Sequence, residues 1–318
     1  MNPLLFIVTA LIWGSTWLAI QFQLGEVMPL WSLTYRFGGA ALILIIFCFF
    51  TKKNLRFNGR QHAWIALQAL LVYSVSYVLF YMTSQYFVSG IVAVIFASII
   101  IWNIINSRLF LKSTLNLKTI IGAAAGLGGL LCIMWAEISR LDNQDTWFLI
   151  EGLFLGCSGA LITSLGQITT MANVRRGLPI IQTNALGYGY ASIFMALTAL
   201  LFGHPLAFDY SLSYVSSLLY LSLFGTVIAF LSYLTLIDRI GSDKGAYVFI
   251  LTPIVALLLS SFYEGFPWSP LTIVGLLLII TGNILVMIKR HQPSHQLLNN
   301  EPKKPANTPV NQSMADNA

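Results

Sequence analysis

Arg36 is the only charged residue well inside an apolar run of this 318-residue chain. It lies about two helical turns from the nearer end of its run. A guanidinium in hydrocarbon is costly, so it must face protein or water. Two readings are open. Arg36 lends positive potential to a cavity and favours a carboxylate ligand, or it snorkels outward to Glu26 or to helix-end carbonyls. Tyr73, Tyr77 and Tyr81 recur every fourth residue and share one helical face. Such hydroxyl-tipped rings either line a wet cavity or simply pack. Trp13 lies too deep in its run for the interface anchoring open to Trp17. Asn103 and Asn106, Gln167 and Asn184 need hydrogen-bond partners in an apolar medium, from other helices or from a substrate. Pro253, after Thr252, has no N–H for the carbonyl of Phe249 and should kink its helix. The freed carbonyl lines a cavity or is satisfied by neighbouring helices. The chemistry available is binding. Its candidate residues are Trp13, Arg36, Tyr73, Tyr77, Tyr81, Asn103, Thr252 and Pro253.

Several chemistries are missing from the sequence. No Asp, Glu or His lies near the middle of any apolar run, and Glu151 and Glu264 sit at run ends. Proton antiport usually needs a buried carboxylate or His, so weak or absent proton coupling is expected. There is no Walker motif, no HExxH, no Cys/His metal spacing and no Ser/His/Asp set. No catalytic residue, cofactor or metal is expected. Cys48, Cys132 and Cys157 all fall in apolar runs and read as small core residues.

The elements that must hold these residues are membrane helices. The chain is 57% hydrophobic and 9% charged, with mean hydropathy +0.78. Soluble chains carry about 25% charged residues. Ten apolar runs approach the roughly 20 residues a helix needs to cross hydrocarbon. They are Leu4–Gln21, Leu30–Phe50, Ala63–Thr83, Val88–Phe110, Lys118–Ala136, Phe148–Thr170, Pro179–Phe202, Ser213–Leu236, Lys244–Tyr263 and Pro270–Ile288. The expected fold is an all-α integral membrane protein of ten transmembrane helices, arranged as two inverted five-helix repeats. The N-terminal stretch lacks a basic leader and a small-x-small cleavage site, so it reads as a retained first helix.

Charge supplies the orientation. Of the 17 Lys and Arg, all but Arg36 and Arg140 fall in alternate loops or the C-terminal tail, on one side. The net charge of +6 therefore reads as positive-inside topology with both termini cytoplasmic, rather than as a nucleic-acid footprint. The opposite loops hold Glu26, Glu137, Asp142, Asp145, Asp209 and Glu264.

The second half repeats the first. Shifted by 153 positions, Ser89–Trp135 lies over Ser242–Ile288 without a gap. Phe96 meets Phe249, Ser107 meets Ser260, Gly122 meets Gly275, Gly129 meets Gly282 and Met134 meets Met287. Five spans precede the loop Glu137–Trp147 and five follow. An odd number per repeat inverts the second copy, the arrangement in which two halves rock about a site near the midplane. The expected division is a first five-helix repeat over 1–140, a second over 141–290, and a disordered cytoplasmic tail over 291–318. That tail is rich in Asn, Pro, Gln and Ser.

Four stretches carry a resemblance to a known family. They are Trp13-Gly14-Ser15 followed by Tyr35-Arg36-Phe37, the Gly122…Gly129 pattern after a small-residue entry to span 4, Leu219–Thr226, and Arg239-Ile240-Gly241-Ser242 leading to Thr252-Pro253 and Glu264-Gly265. In order and spacing the chain resembles the drug/metabolite transporter superfamily, specifically its EamA-type ten-helix members. The resemblance implies an inverted repeat and export or exchange of small metabolites, often amino acids. The inverted repeat brings spans 4 and 9 together to bound a central cavity, to which the resemblance adds spans 1, 3, 6 and 8; Trp13, Tyr77, Asn103 and Thr252 are the candidates for its wall. Family members often carry Pro in span 4 as well as span 9; here Ile100 stands opposite Pro253, which puts a span 4 kink in doubt.

The expected function is thus an inner-membrane transporter of small organic metabolites, amino acids or related carboxylated compounds first, by alternating access. The expected partners are a small-molecule substrate and the lipid bilayer, with no nucleic acid, in a monomer or homodimer. A multidrug or cationic-compound efflux transporter is the nearest alternative. An intramembrane lipid-modifying enzyme is a remoter one, since the short loops hold no paired acid and base.

Overall fold

The structure, a computed structural model, describes residues 3–112, 117–139, 146–241, 245 and 247–287. The expected tail, and Ser242 and Lys244 of the second hairpin, lie outside these. Among the described residues every regular element is helical. The helices are α1 Pro3–Gln21, α2 Pro29–Phe50, α3 Gly59–Thr83, α4 Ser89–Phe110, α5 Leu117–Ile138 and α6 Thr146–Arg175. They continue with α7 Ile180–Leu201, α8 Leu212–Ile240, α9 Val248–Tyr263 and α10 Pro270–Met287. The first eight are long and apolar enough to cross a membrane; α9 and α10 are shorter apolar helices.

Local chemistry sets several ends. Asn58 and Gln61 form a reciprocal capping box at the start of α3, at 2.8 and 2.9 Å. Pro29 opens α2, where a missing N–H costs nothing. Gly177, Gly203 and Gly265 take positive φ where chains leave helices.

The molecule turns a soluble protein inside out. Leu131, Phe154 and Leu197 are more than half exposed on the outer surface, whereas Arg36, Gln68, Asn106, Asn173 and Asn184 are buried. Only a hydrocarbon solvent favours that distribution.

Helix contacts reveal a two-fold relation. Three equivalent pairs pack on each other: α2 on α7, α4 on α9 and α5 on α10. The others come in matched sets. α1 meets α8 and α9 as α6 meets α3 and α4, and α2 meets α8 as α7 meets α3. The α5–α10 crossing shows the inversion at atomic scale. A Cβ on Gly122 would lie 2.6 Å from the Gly282 carbonyl oxygen, and one on Gly275 would lie 2.6 Å from that of Gly129. Gly129 and Gly282 meet the reciprocal carbonyls, of Gly275 and Gly122. Equivalent glycines thus exchange contacts, as in a two-fold interface. Backbones can approach this closely only where no side chain intervenes. Gly126 differs: a Cβ there would meet nothing within 4 Å.

Two features are not foreseen in the sequence. Pro253 lies inside α9, while α4 is interrupted at Ser98, between Ser89–Ala97 and Ile99–Leu111. There Ser98 N–H bonds Ile95 O at 3.0 Å and Ile101 N–H bonds Ser98 O at 2.9 Å, tight turns in place of helical bonds. The interruption therefore falls two residues before Ile100 and without proline. The second feature is a π-helical stretch in each half, Ala69–Val75 in α3 and Leu221–Ile228 in α8, with starts 152 positions apart. In each, a hydroxyl reaches back five residues. Ser74 Oγ donates to Ala69 O at 3.1 Å and Thr226 Oγ1 to Leu221 O at 2.8 Å.

Candidate functional site

The π stretches are where polar groups collect. α2 packs against the wide turn of α8, and Arg36 is 2% exposed there. Its Nε donates to Thr226 Oγ1 at 3.3 Å and its Nη1 to Tyr81 OH at 3.4 Å. The guanidinium carbon lies 5.0 Å from the Tyr77 ring centroid and 5.6 Å from that of Phe37. Both hydrogen bonds are long, and among the described residues none goes from Arg36 to a carboxylate. Glu26 is exposed, so the outward route to it is not taken. Thr226 is held in place by its own bond to Leu221 O, which spends the hydroxyl proton and turns a lone pair to Arg36.

Tyr73, Tyr77 and Tyr81 do share a face of α3, directed at α2 and α7. Tyr77 packs edge-on against Phe37 at 4.9 Å, and Tyr73 against Tyr188 at 4.7 Å. Tyr73 belongs to a different polar set. Its hydroxyl donates to Asn184 Oδ1 at 2.9 Å, and Gln68 Nε2 bonds the same oxygen at 3.2 Å. Asn173 Nδ2 donates to Gln68 Oε1 at 2.9 Å. This amide set sits where α7 meets the π stretch of α3, as Arg36 sits where α2 meets that of α8.

The other predicted residues lie elsewhere. Trp13 stacks on Phe249 at 5.2 Å and leans on Tyr233 at 5.1 Å, an aromatic trio from α1, α9 and α8. Thr252 and Pro253 are buried nearby; a Cβ on Gly14 would lie 3.2 Å from Thr252 O. Thr252 spends its hydroxyl on Val248 O at 3.1 Å. This trio is about one turn of α1 from the Arg36 centre. Thr16 abuts Gly225, whose Cβ position is 3.8 Å from Arg36 Nη2. Asn103 is half-buried and, among the described residues, is hydrogen-bonded to neither set. Its neighbour Asn106 bonds Ser164 at 2.9 Å. Among the described residues, no hydrogen bond or ring contact joins Trp13, Tyr77, Asn103 and Thr252 to one another. Arg36, Tyr77 and Tyr81 make one centre, Tyr73 borders it, and Trp13, Thr252 and Pro253 make another.

Sequence reasoning missed Thr226, Gln68 and Tyr188 as partners. The available signal was the five-residue spacing of Ala69 to Ser74 and Leu221 to Thr226, recurring 152 positions apart. A hydroxyl at that spacing can hold a π turn open, and π turns gather at functional sites.

A membrane bundle with an inverted repeat is an architecture that many transporters share. Known proteins agree. The family model of the EamA-like transporters matches twice, over residues 2–135 and 150–288. The chain is 26% identical over 291 residues to protein PagO of Salmonella typhimurium, covering 91% of this chain and 94% of that one. It is 27% identical over 287 residues to the uncharacterized inner membrane transporter YedA of Escherichia coli K12, covering 88% and 89%. A solved crystal structure shares the fold with TM-score 0.65 at 16% identity, over 90% of this chain and 96% of that one. The protein is a multi-span membrane transporter, and it belongs to the EamA-like transporter family.

Proposed function

We propose that the protein carries small carboxylated metabolites, amino acids first among them, across the inner membrane by alternating access. One observation carries this reading. Arg36 is buried among Thr226, Tyr81, Tyr77 and Phe37, and among the described residues no carboxylate neutralises it. Removing one member of a buried ion pair costs about 3–5 kcal/mol. A substrate carboxylate entering the site supplies the missing member and fits the planar fork of the guanidinium. The same charge disfavours a cationic drug. The inner-membrane location is supported by the names of relatives such as YedA. The basic loops support cytoplasmic termini.

The test is counterflow in liposomes with matched pairs of solutes, each amino acid against its amide. Free carboxylates should be carried and amides not. Arg36→Gln should lower carboxylate transport on the order of a hundredfold, since truncating one partner of a buried charge pair costs roughly 2–5 kcal/mol. Equal transport of acid and amide by the parent chain would end the reading.

A further inference from the structure

The end of the bundle that carries the α9–α10 turn is fastened by a carboxylate. Glu264 caps the C-terminus of α9. Its two oxygens accept the backbone N–H of Ser89 at 3.0 and 3.1 Å, and Oε2 also accepts the Ser89 hydroxyl. Ser89 is the first residue of α4, so the charge sits on the positive end of that helix. Directly beneath, the two helices touch backbone to backbone. A Cβ on Gly90 would lie 2.9 Å from Leu257 Cα and 3.0 Å from Ser260 Cβ.

The connection before Ser89 gathers two more helices. Gln21 Nε2 at the end of α1 donates to Phe87 O at 2.9 Å. Gly152 of α6 admits Tyr86, whose Cβ would be 2.5 Å from a Cβ placed there. α1, α4, α6 and α9 thus converge on residues 86–90. The repeat does not reproduce the clasp: 153 positions before Glu264 stands Leu111. The nine-residue segment Ser89–Ala97 then ends at the Ser98 interruption. A cavity of about 10 Å³, barely room for one water, lies beside Ser98, between α4, α5 and α10.

We propose that Ser89–Ala97 is a gate leaf hinged at Ser98, and that the Glu264–Ser89 clasp is the latch holding this end of the transporter shut. The latch rests on alternating access, but not on a carboxylate at Arg36. Opening this end takes two donors, the Ser89 N–H and hydroxyl, from one charged group. The opposite end has no carboxylate at the equivalent position, so the latch biases the resting protein toward closure here.

The test places a reporter cysteine under the latch, Leu257→Cys, in the full chain with Cys48, Cys132 and Cys157 replaced by Ala. Labelling by a membrane-impermeant maleimide is timed from each side of reconstituted vesicles. Glu264→Gln should speed labelling from the α9–α10 turn side about tenfold or more, given the strength of hydrogen bonds to charged groups. Glu264→Asp should return it toward the parent rate, and Ser89→Ala should give a smaller rise. Glu26→Gln, an exposed acid in the α1–α2 loop, should leave it unchanged. Parent-rate labelling in Glu264→Gln overturns the latch. So does an equal rise from both sides, which signals loosening of the whole bundle. An equimolar amino-acid mixture separates the two readings. If it alters labelling in no variant while the Glu264→Gln rise persists, the Arg36 reading fails and the latch stands.

Discussion

Where α2 meets the π turn of α8, the buried polar group is the Arg36 guanidinium; where α7 meets the π turn of α3, it is the Asn184 amide. The helices that bring them there are related by the repeat, and so are the wide turns, 152 positions apart. The chemistry is not related. Asn184 Oδ1 takes two hydrogen bonds, from Tyr73 at 2.9 Å and Gln68 at 3.2 Å, and Gln68 is bonded onward to Asn173. Arg36 has five donors and makes two long bonds, at 3.3 and 3.4 Å. The amide network ties α3, α6 and α7 together, with Asn173 Oδ1 left over. A cation left half-partnered invites a ligand. A duplicated scaffold thus carries different polar groups, from different positions of α2 and α7, where equivalent helices meet the two wide turns.

The largest effect should come from the part of the scaffold that the halves share. Gly129→Leu places a branched side chain against the Gly275 carbonyl, and Gly282→Leu does the same against that of Gly122. Overpacking a close contact costs about 1–3 kcal/mol even where neighbours yield. A carbonyl backbone cannot yield, so neither variant should give monodisperse protein after detergent extraction. The two should fail alike. Gly126→Ala, with nothing within 4 Å of its Cβ position, should extract as the parent does. Unequal failure of the paired glycines would break the symmetry on which the comparison rests.

Next in size is the charged centre itself. Arg36→Leu should abolish transport while holding or raising the thermal stability of the purified protein, because removing an unpaired buried charge relieves a cost. Asn184→Leu should do the reverse. It leaves Tyr73 and Gln68 short of an acceptor, costing about 1 kcal/mol at membrane hydrogen-bond strengths, and should spare transport per folded molecule. Melting curves read beside liposome counterflow decide it. If Arg36→Leu melts as early as Asn184→Leu, Arg36 is a second structural strut.

Much of the fold was legible because membrane helices obey length and polarity before they obey anything else. Span ends such as Gln21, Phe50, Thr83 and Tyr263 coincide with observed helix ends. Gly122, Gly129, Gly275 and Gly282, paired by a sequence shift alone, turn out to touch across the two-fold. The site was less legible. Which face of α1 meets α9 depends on helix rotation, and that set Trp13 with Phe249 and Tyr233 instead of with Tyr77. Proline marks a missing donor, yet the interruption lies at Ser98 in the other helix. Pro253 itself lies inside α9. The π turns are held by hydroxyls bonded five residues back, a contact that no propensity scale encodes.

The smallest effect sharpens the comparison most, because it sets equivalent hydroxyls against each other. Ser74 and Thr226 hold the two π turns by the same bond, to Ala69 O and Leu221 O. Only Thr226 also accepts from the charged centre, at 3.3 Å from Arg36 Nε. Thr226→Val keeps the shape and removes both bonds, so the guanidinium loses one of its two protein partners. The bond is long, and its loss should cost about 1 kcal/mol, or roughly fivefold in counterflow rate. Ser74→Ala removes the matching helix bond but touches no cation, and its counterflow should stay within twofold of the parent. Equal loss in the two variants would mean that the wide turns act by shaping α3 and α8, with Arg36 a bystander to Thr226. A loss confined to Thr226→Val ties the π turn of α8 to the cation it faces, and leaves that of α3 as the inert copy.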